Sequence, residues 1–149
     1  MWTAGVRVIK DHPLLGLGAN SGDRILPYYT QLAKENKHRY DHHPDTGLHN
    51  IYIQTWIDFG LIGLVGYLIW WFGLIYGGFS RFKDRAFRYS RDAALLLGIS
   101  TGLVGIMVAG FFENNFRDGE VQTTVLTGMG LMLVLFRRID KAKTLYSQM

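Results

Sequence analysis

Two long runs without charge dominate this sequence of 149 residues. Residues 59–80 hold 22 consecutive positions without a charged side chain, and residues 93–112 hold 20. Because an α-helix rises about 1.5 Å per residue, each run is long enough to cross roughly 30 Å of hydrocarbon. These runs exclude a soluble globular enzyme, a disordered tail and a nucleic-acid-binding module. The sequence predicts an all-α integral membrane protein.

A third apolar run, residues 121–136, contains 16 uncharged positions. It would span only about 24 Å and begins with polar residues, so a buried or interfacial helix is an alternative. Two arginines follow at once, which favours a membrane span. We therefore predict about three transmembrane helices, preceded by a largely helical segment outside the cytoplasm. The predicted spans are 57–80, 93–112 and 121–136.

The charges of the connecting segments predict how these spans are oriented. The connection 81–92 carries five basic residues against two acidic ones, and the tail 137–149 carries four against one. The connection 113–120 instead carries three acidic residues and one arginine. Because basic loops remain cytoplasmic, we predict that 81–92 and the tail lie inside. Residues 113–120 and 1–56 are then outside, in the periplasm or at the outer surface.

Small residues recur at a spacing that permits close helix contacts. Gly73 and Gly77 are four residues apart, as are Gly98 and Gly102. On a helix this spacing lets two backbones approach each other closely. Glycines that simply face lipid are an equal alternative.

The segment 1–56 is nearly neutral and contains all five histidines of the chain. Helix-forming residues with apolar spacing predict short helices over 3–11 and 28–40. Between them, residues 12–22 are predicted to form a loop, because Pro13 ends a helix and glycines permit positive φ. A phosphate-binding loop is a weaker alternative, since no strand precedes this loop and no Gly-Lys-Ser/Thr follows it.

Three of the histidines cluster in a way that permits two interpretations. His38 and His42 would share one face of a helix, which is a chelating spacing, and acidic residues lie nearby. Against this, Pro44 interrupts the chain directly after His43, and the glutamate that a zinc protease needs is missing. Solvated loop histidines are the alternative, and we predict neither a metal site nor a cofactor. The chain has no cysteine, which excludes a thiolate zinc site and a cysteine nucleophile.

A fourth histidine lies just before the first span. Asp45 or Thr46 could cap a helix that begins near Leu48. The spacing i, i+3, i+4, i+7 would then give this helix one face with polar and aromatic side chains. The members of that face are His49, Tyr52, Ile53 and Trp56, with Asn50 and Gln54 beside them. A histidine held at the membrane interface without a chemical role is the alternative.

Three short motifs carry a resemblance to a known family. They are His-Pro-Leu-Leu-Gly-Leu-Gly at 12–18, His-Asn-Ile-Tyr-Ile-Gln at 49–54 and Phe-Gly-Leu-Ile-Gly-Leu at 59–64. Together they resemble the C-terminal part of the O-antigen ligase-like superfamily, over about residues 2–136. That superfamily comprises multi-pass proteins of the bacterial inner membrane that act in lipopolysaccharide and polysaccharide biosynthesis: O-antigen ligases, some polymerases and protein O-oligosaccharyltransferases.

The resemblance implies a glycosyltransferase that needs no metal. Such an enzyme moves a glycan from an undecaprenyl-pyrophosphate carrier in the membrane lipid to a hydroxyl of a lipid, glycan or protein acceptor. His49 matches the family histidine implicated in catalysis, and the resemblance makes it the base that activates the acceptor. Asn50, Tyr52 and Gln54 would bind substrate beside it.

The family's important arginines lie mostly upstream of the position that matches Trp2. We therefore expect this chain to be incomplete by itself and to pack against further transmembrane helices. A different class of function stays open beside the enzyme: a small non-catalytic membrane protein whose histidine-rich outer loop binds a metal or a partner. Nucleic acid is not expected as a partner of either.

Overall fold

The structure, a computed structural model, describes residues 2–19, 21–35, 48–83 and 89–148. Within those ranges the chain is helical and has no strand, which confirms the all-α prediction. Three of the helices are long and apolar enough to cross a membrane. The elements in chain order are α1 (Trp2–Asp11), α2 (Gly22–Glu35), α3 (Ile51–Phe82), α4 (Arg91–Ala109), a 3₁₀ turn (Asn115–Arg117) and α5 (Gly119–Ser147).

The long helices contain the apolar runs but extend differently from them. The predicted span 57–80 lies within α3, and most of 93–112 lies within α4. Helix α5 has 29 residues, so the short run 121–136 is only its middle part. The helix continues past this run because the basic residues that follow are good helix formers. Which ends of these helices face the cytoplasm stays a prediction.

The two short helices differ in how well the sequence located them. Helix α1 agrees with the predicted range 3–11 to within one residue. Helix α2 begins at Gly22, so the predicted start at residue 28 is wrong. Helical backbone continues through Pro27, although proline has no amide hydrogen to donate and its ring crowds the preceding turn. The predicted residues 36–40 lie outside the described residues.

The chain divides into two compact units. Unit 1 contains Met1–Leu68 and Ala109–Asn115. Its apolar core joins α1, α2 and the first part of α3, and an ion pair of 2.5 Å between Arg7 and Glu35 links the two short helices at the surface. The buried members of that core are Val8, Ile25, Leu48 and Ile57.

Unit 2 contains Ile69–Val108 and Phe116–Met149, and its helices meet through a glycine. A Cβ atom added to Gly78 of α3 would collide with the Oγ of buried Ser100 in α4 and lie 3.1 Å from the Cε of Met132 in α5. Helix α3 therefore approaches its neighbours at this residue. Of the four glycines in the two predicted pairs, Gly73, Gly98 and Gly102 have nothing among the described residues within 4 Å of their Cβ positions, whereas a Cβ at Gly77 would lie 2.9 Å from the ring of Phe136.

Charged pairs accompany this glycine contact in unit 2. The guanidinium of Arg81 lies 2.6 Å from the carboxylate of Asp140, and that of Arg138 lies 3.0 Å from Asp92. Arg81 also lies over the ring of Phe136, 4.1 Å from its centroid. These contacts link the charged segments of the long helices.

Candidate functional site

Helix α3 is broken at Gly60. This residue has φ 68° and ψ −171°, which is not a helical conformation. In an unbroken helix, the carbonyls of Ile57 and Asp58 would accept hydrogen bonds from the amides of Leu61 and Ile62. The break separates these groups and leaves two carbonyls and two amides without their helical partners. In a membrane, each unsatisfied backbone group costs several kcal/mol.

The loop at 12–18 provides new partners for all four groups. The amides of Leu17 and Gly18 donate to the two freed carbonyls, at 2.7 and 2.8 Å. The two freed amides donate to the carbonyls of Pro13 and Leu14, at 2.9 and 3.4 Å. Two local hydrogen bonds are thus exchanged for four between segments forty or more residues apart. The break in α3 and the loop 12–18 therefore form a junction in which all four freed backbone groups have hydrogen-bond partners.

Glycine is required on both sides of this junction. Gly16 in the loop and Gly60 in α3 both have positive φ, which L side chains rarely adopt. A Cβ at Gly16 would collide with the carbonyl oxygen of Ile57, and one at Gly60 with that of Leu14. Two of the sequence motifs, at 12–18 and 59–64, therefore contact each other through main-chain atoms, and this contact explains Gly16 and Gly60.

A buried carboxylate lies just before the break. Asp58 is only 5% exposed, and its Oδ1 accepts hydrogen bonds from three donors. They are the Oγ of Ser21 at 2.5 Å, the Nε2 of Gln54 at 3.0 Å and the amide of Ser21 at 3.4 Å. A buried charge without such partners would be strongly destabilising. Asp58 therefore ties the start of α2 to α3, and the Gln54 amide serves this network.

His49 precedes helix α3, so its predicted place on the helix is wrong. The helix begins at Ile51, and the Oδ1 of Asn50 accepts hydrogen bonds from the amides of Tyr52 and Ile53, at 3.0 and 2.9 Å. Asparagine is among the strongest N-cap residues, so the helix starts directly after it. His49 itself has φ 45°, in the left-handed region. Asp45 and Thr46, the predicted caps, lie outside the described residues.

Buried neighbours fix the backbone on both sides of His49. Leu48 is 2% exposed, and its carbonyl accepts a hydrogen bond of 3.0 Å from the indole N–H of Trp2. Asn50 is 5% exposed, and its Nδ2 donates to the carbonyl of Phe111 at 3.0 Å. The side chain of His49, by contrast, is 49% exposed. The result is an accessible imidazole on a rigidly held backbone.

A carboxylate from a distant part of the chain contacts this imidazole. The Nδ1 of His49 lies 3.0 Å from the Oε2 of Glu113, which is 53% exposed. Glu113 follows the end of α4, and the segment it belongs to is tied to the start of α3 by a hydrogen bond of 2.9 Å from the amide of Ile51 to the carbonyl of Gly110. The two residues of the pair are 64 positions apart in the sequence.

Tyr52 is the aromatic part of this arrangement. Its half-buried ring packs against Phe111, with 4.6 Å between the ring centroids, and contacts Tyr67 edge-on at 6.4 Å. The structure thus brings Asn50 and Tyr52 together beside His49 and gives each a structural contact. Binding of a substrate by Asn50, Tyr52 or Gln54 stays a prediction.

Sequence reasoning missed Glu113, Asp58 and Ser21. Glu113 was noticed only as one of the acidic charges of the connection 113–120. No local signal in the sequence pairs it with a histidine 64 residues earlier. Asp58 could have been noticed as an acidic residue at the start of a span, where a carboxylate needs donors.

Metal binding has no support in the described residues. No group of three or more His, Cys, Asp or Glu side chains in ranges 2–19, 21–35, 48–83 and 89–148 is arranged to hold a metal ion. His38, His42 and His43, which form the predicted candidate cluster, lie outside the described residues.

Comparison with protein families gives a match over the N-terminal part of the chain. The family model described as O-antigen ligase matches residues 1–68. This match is shorter than the range 2–136 expected from the motifs, but it contains all three of them. It also contains the loop 12–18, the break at Gly60 and His49. No curated protein and no solved structure matches the chain with significance. The resemblance to the O-antigen ligase-like superfamily is confirmed over residues 1–68.

Proposed function

We propose that this chain is part of a membrane glycan transferase of the O-antigen ligase type, with His49 as its general base. The enzyme moves a glycan from an undecaprenyl-pyrophosphate carrier to an acceptor hydroxyl. One observation carries the proposal: within the region matched by the family model, the half-exposed imidazole of His49 is held between two buried residues at the start of a helix apolar enough to cross a membrane.

The chemistry of such a transfer needs what this site offers. The hydroxyl oxygen of the acceptor attacks the anomeric carbon of the donor, and a new C–O bond forms there. The C–O bond to pyrophosphate breaks, and the pyrophosphate leaves with the electron pair. The proton of the hydroxyl passes to the imidazole of His49. Histidine is suited to this step because its neutral form is abundant near pH 7.

The position of His49 suits a lipid-linked donor. It lies two residues before the first residue of α3. The end of a spanning helix lies at the level of the lipid headgroups, where the pyrophosphate of a membrane carrier also lies. A rigid backbone at this level matters because catalysis depends on close placement of the reacting groups.

Substitution of His49 tests the proposal. In the full natural protein that contains this segment, His49→Ala should lower glycan transfer by about 10²–10⁴-fold, the usual contribution of a general base. The matched control is the combined variant His42→Ala and His43→Ala, which should lose less than about tenfold. A chelator should have no effect on either protein. Transfer is measured in isolated membranes at equal protein levels.

The same experiment distinguishes the alternative function. If the His42/His43 variant is inactive and His49→Ala is active, the base is wrongly assigned. If a chelator also abolishes transfer, the histidine cluster binds a metal that transfer needs. If the protein has no transfer activity and its outer loop binds a metal or a partner, the non-catalytic interpretation takes its place.

We also propose that the protein lies in the bacterial inner membrane with residues 1–56 and 113–120 outside. The chain has no cysteine, so single cysteines can be introduced without background. In spheroplasts, a membrane-impermeant thiol reagent should label Thr30→Cys and Glu120→Cys but not Tyr89→Cys or Ser147→Cys. All four wild-type side chains are exposed, and all four variants should react after permeabilisation. Labelling of Tyr89→Cys and Ser147→Cys in spheroplasts would show that the proposed orientation is wrong.

A further inference from the structure

We propose that Glu113 is a positioning residue for His49. Its carboxylate holds the imidazole through Nδ1, so that the other ring nitrogen, Nε2, stays free to receive a proton from the acceptor hydroxyl. The inference rests on the proposed function, because it concerns the same histidine, but it adds a residue that neither the motifs nor the family match contains.

The chemistry of the contact decides which nitrogen is the base. An ionised carboxylate can only accept hydrogen bonds. At 3.0 Å from Glu113, the Nδ1 of His49 must therefore be the nitrogen that carries a proton. A neutral imidazole has one donor and one acceptor nitrogen, so the lone pair is on Nε2. When Nε2 takes the proton of the acceptor, the ring becomes a cation, and the neighbouring carboxylate stabilises that charge.

The contact is built by the main chain on both sides. The amide of Glu113 donates to the carbonyl of Ala109 at 3.0 Å, which fixes the turn after α4. Two further hydrogen bonds join this turn to the start of α3, from Ile51 to Gly110 and from Asn50 to Phe111. An ion pair that forms by chance between two surface side chains does not need main-chain hydrogen bonds of this kind. Here these hydrogen bonds hold the two backbones close enough for the side chains of His49 and Glu113 to contact each other.

The backbone of His49 is consistent with the same role. A non-glycine residue with φ 45° is uncommon and costs free energy. Such a conformation persists only where the surroundings enforce it, and it concentrates at functional sites. Here His49 lies between the buried residues Leu48 and Asn50, each held by a hydrogen bond, and its imidazole contacts Glu113.

A rate experiment tests the positioning role. The probe is a radiolabelled disaccharide linked through pyrophosphate to a polyprenol, added to membranes that contain the full natural protein, and the measurement is release of label from the lipid. Glu113→Ala should lower kcat by about 10–100-fold, a part of what the base itself contributes, with little change in the KM for the donor. Glu113→Asp keeps the charge and should recover part of the rate. The matched control is Glu120→Gln, an exposed acidic residue of the same connection, which should keep the full rate.

A double-mutant comparison separates positioning from a purely structural role. If Glu113 acts through His49, then Glu113→Ala should have no further effect in a protein that already carries His49→Ala. If the two losses multiply, Glu113 acts independently and the proposal is overturned. Half-exposed ion pairs contribute little to stability, so both variants should fold, and equal protein levels and thermal unfolding verify this.

The outcomes also distinguish this proposal from the one on which it rests. If His49→Ala lowers the release of label and Glu113→Ala does not, the positioning role is wrong while the proposed function stands. If neither variant lowers it, the proposed function itself fails.

Discussion

The two compact units hold their helices together by different means. In unit 1, a broken helix and a loop exchange main-chain hydrogen bonds, and a buried carboxylate has three donors. In unit 2, regular helices pack through apolar side chains and the close approach at Gly78, with ion pairs between their charged segments. The family match lies in the part of the chain that contributes most of unit 1.

This difference explains why one unit carries motifs and the other does not. A regular spanning helix satisfies its own backbone, so many apolar sequences can form it. An irregular backbone needs particular residues: a glycine for positive φ, a cap, or a donor for a buried carboxylate. Recognisable sequence therefore concentrates where the chain departs from the helix. The candidate site lies in the same unit, since rigid irregular segments can present a side chain such as His49.

The largest effect that tests this comparison is expected at the break in α3. Gly60→Ala places a side chain at positive φ, which costs about 1–2 kcal/mol, and drives its Cβ into the carbonyl of Leu14. We expect a total loss of stability above about 2 kcal/mol, with poor accumulation of the protein. Thermal unfolding of detergent-purified protein, followed by tryptophan fluorescence, measures the loss.

The matched control for the break lies in the same helix. Gly66 is helical and has nothing within 4 Å of its Cβ position. Gly66→Ala should therefore leave the unfolding temperature unchanged or raise it slightly, because alanine is the better helix former. Equal effects of the two substitutions on the unfolding temperature would show that the break does not contribute to the stability of unit 1.

A smaller effect is expected at the glycine contact of unit 2. Gly78→Ala forces a Cβ against Ser100 and Met132, and overpacking of this kind costs about 1–3 kcal/mol. Gly73→Ala, in the same helix and with open space around it, is the control and should be neutral. Unfolding temperatures of the two variants give the comparison. If Gly78→Ala leaves the unfolding temperature unchanged, unit 2 tolerates changes in helix spacing. The contrast with the break in unit 1 would then be larger than we expect.

The smallest effect concerns the surface ion pair of unit 1. The hydrogen bond from Arg7 lowers the pKa of Glu35 below its ordinary value, outweighing the opposing effect of desolvation. Because the pKa of Glu35 is lower in the folded than in the unfolded protein, the ion pair stabilises the folded state at pH values above the unfolded-state pKa. This stabilisation is lost as the pH falls through the folded-state pKa. Because Glu35 is exposed, we expect a smaller change than at either glycine.

A pH series measures this last effect. Unfolding temperatures of wild type and Arg7→Gln should differ at neutral pH and converge as the pH falls below 4.5, the ordinary pKa of a glutamate carboxyl. Gln31→Ala is a control for loss of the weaker hydrogen bond, since the Nε2 of Gln31 lies 3.2 Å from the same carboxylate. A difference that persists unchanged at the acid end would show that Arg7 acts through packing rather than charge.

Local signals predicted the helices well, and contacts distant in sequence account for what they missed. Hydropathy alone predicted the span 57–80, which lies inside α3. It could not reveal the break, because Gly60 in an apolar run resembles any other glycine of a span until the loop 12–18 is seen beside it. His49 was placed on the helix because its periodicity fits, whereas the side chain of Asn50 begins the helix two residues later. Glu113 joins the site only through the turn after α4.

The junction between the loop 12–18 and the break has a consequence for how the protein is made. The loop is synthesised before the helix that it completes, because its residues come first in the chain. When Ile57–Ile62 leaves the ribosome, the carbonyls and amides that it needs already exist. Four backbone groups that would otherwise oppose entry into lipid can be paired without waiting for any later segment. A loop that followed the spans in the sequence would leave the break unpaired during insertion.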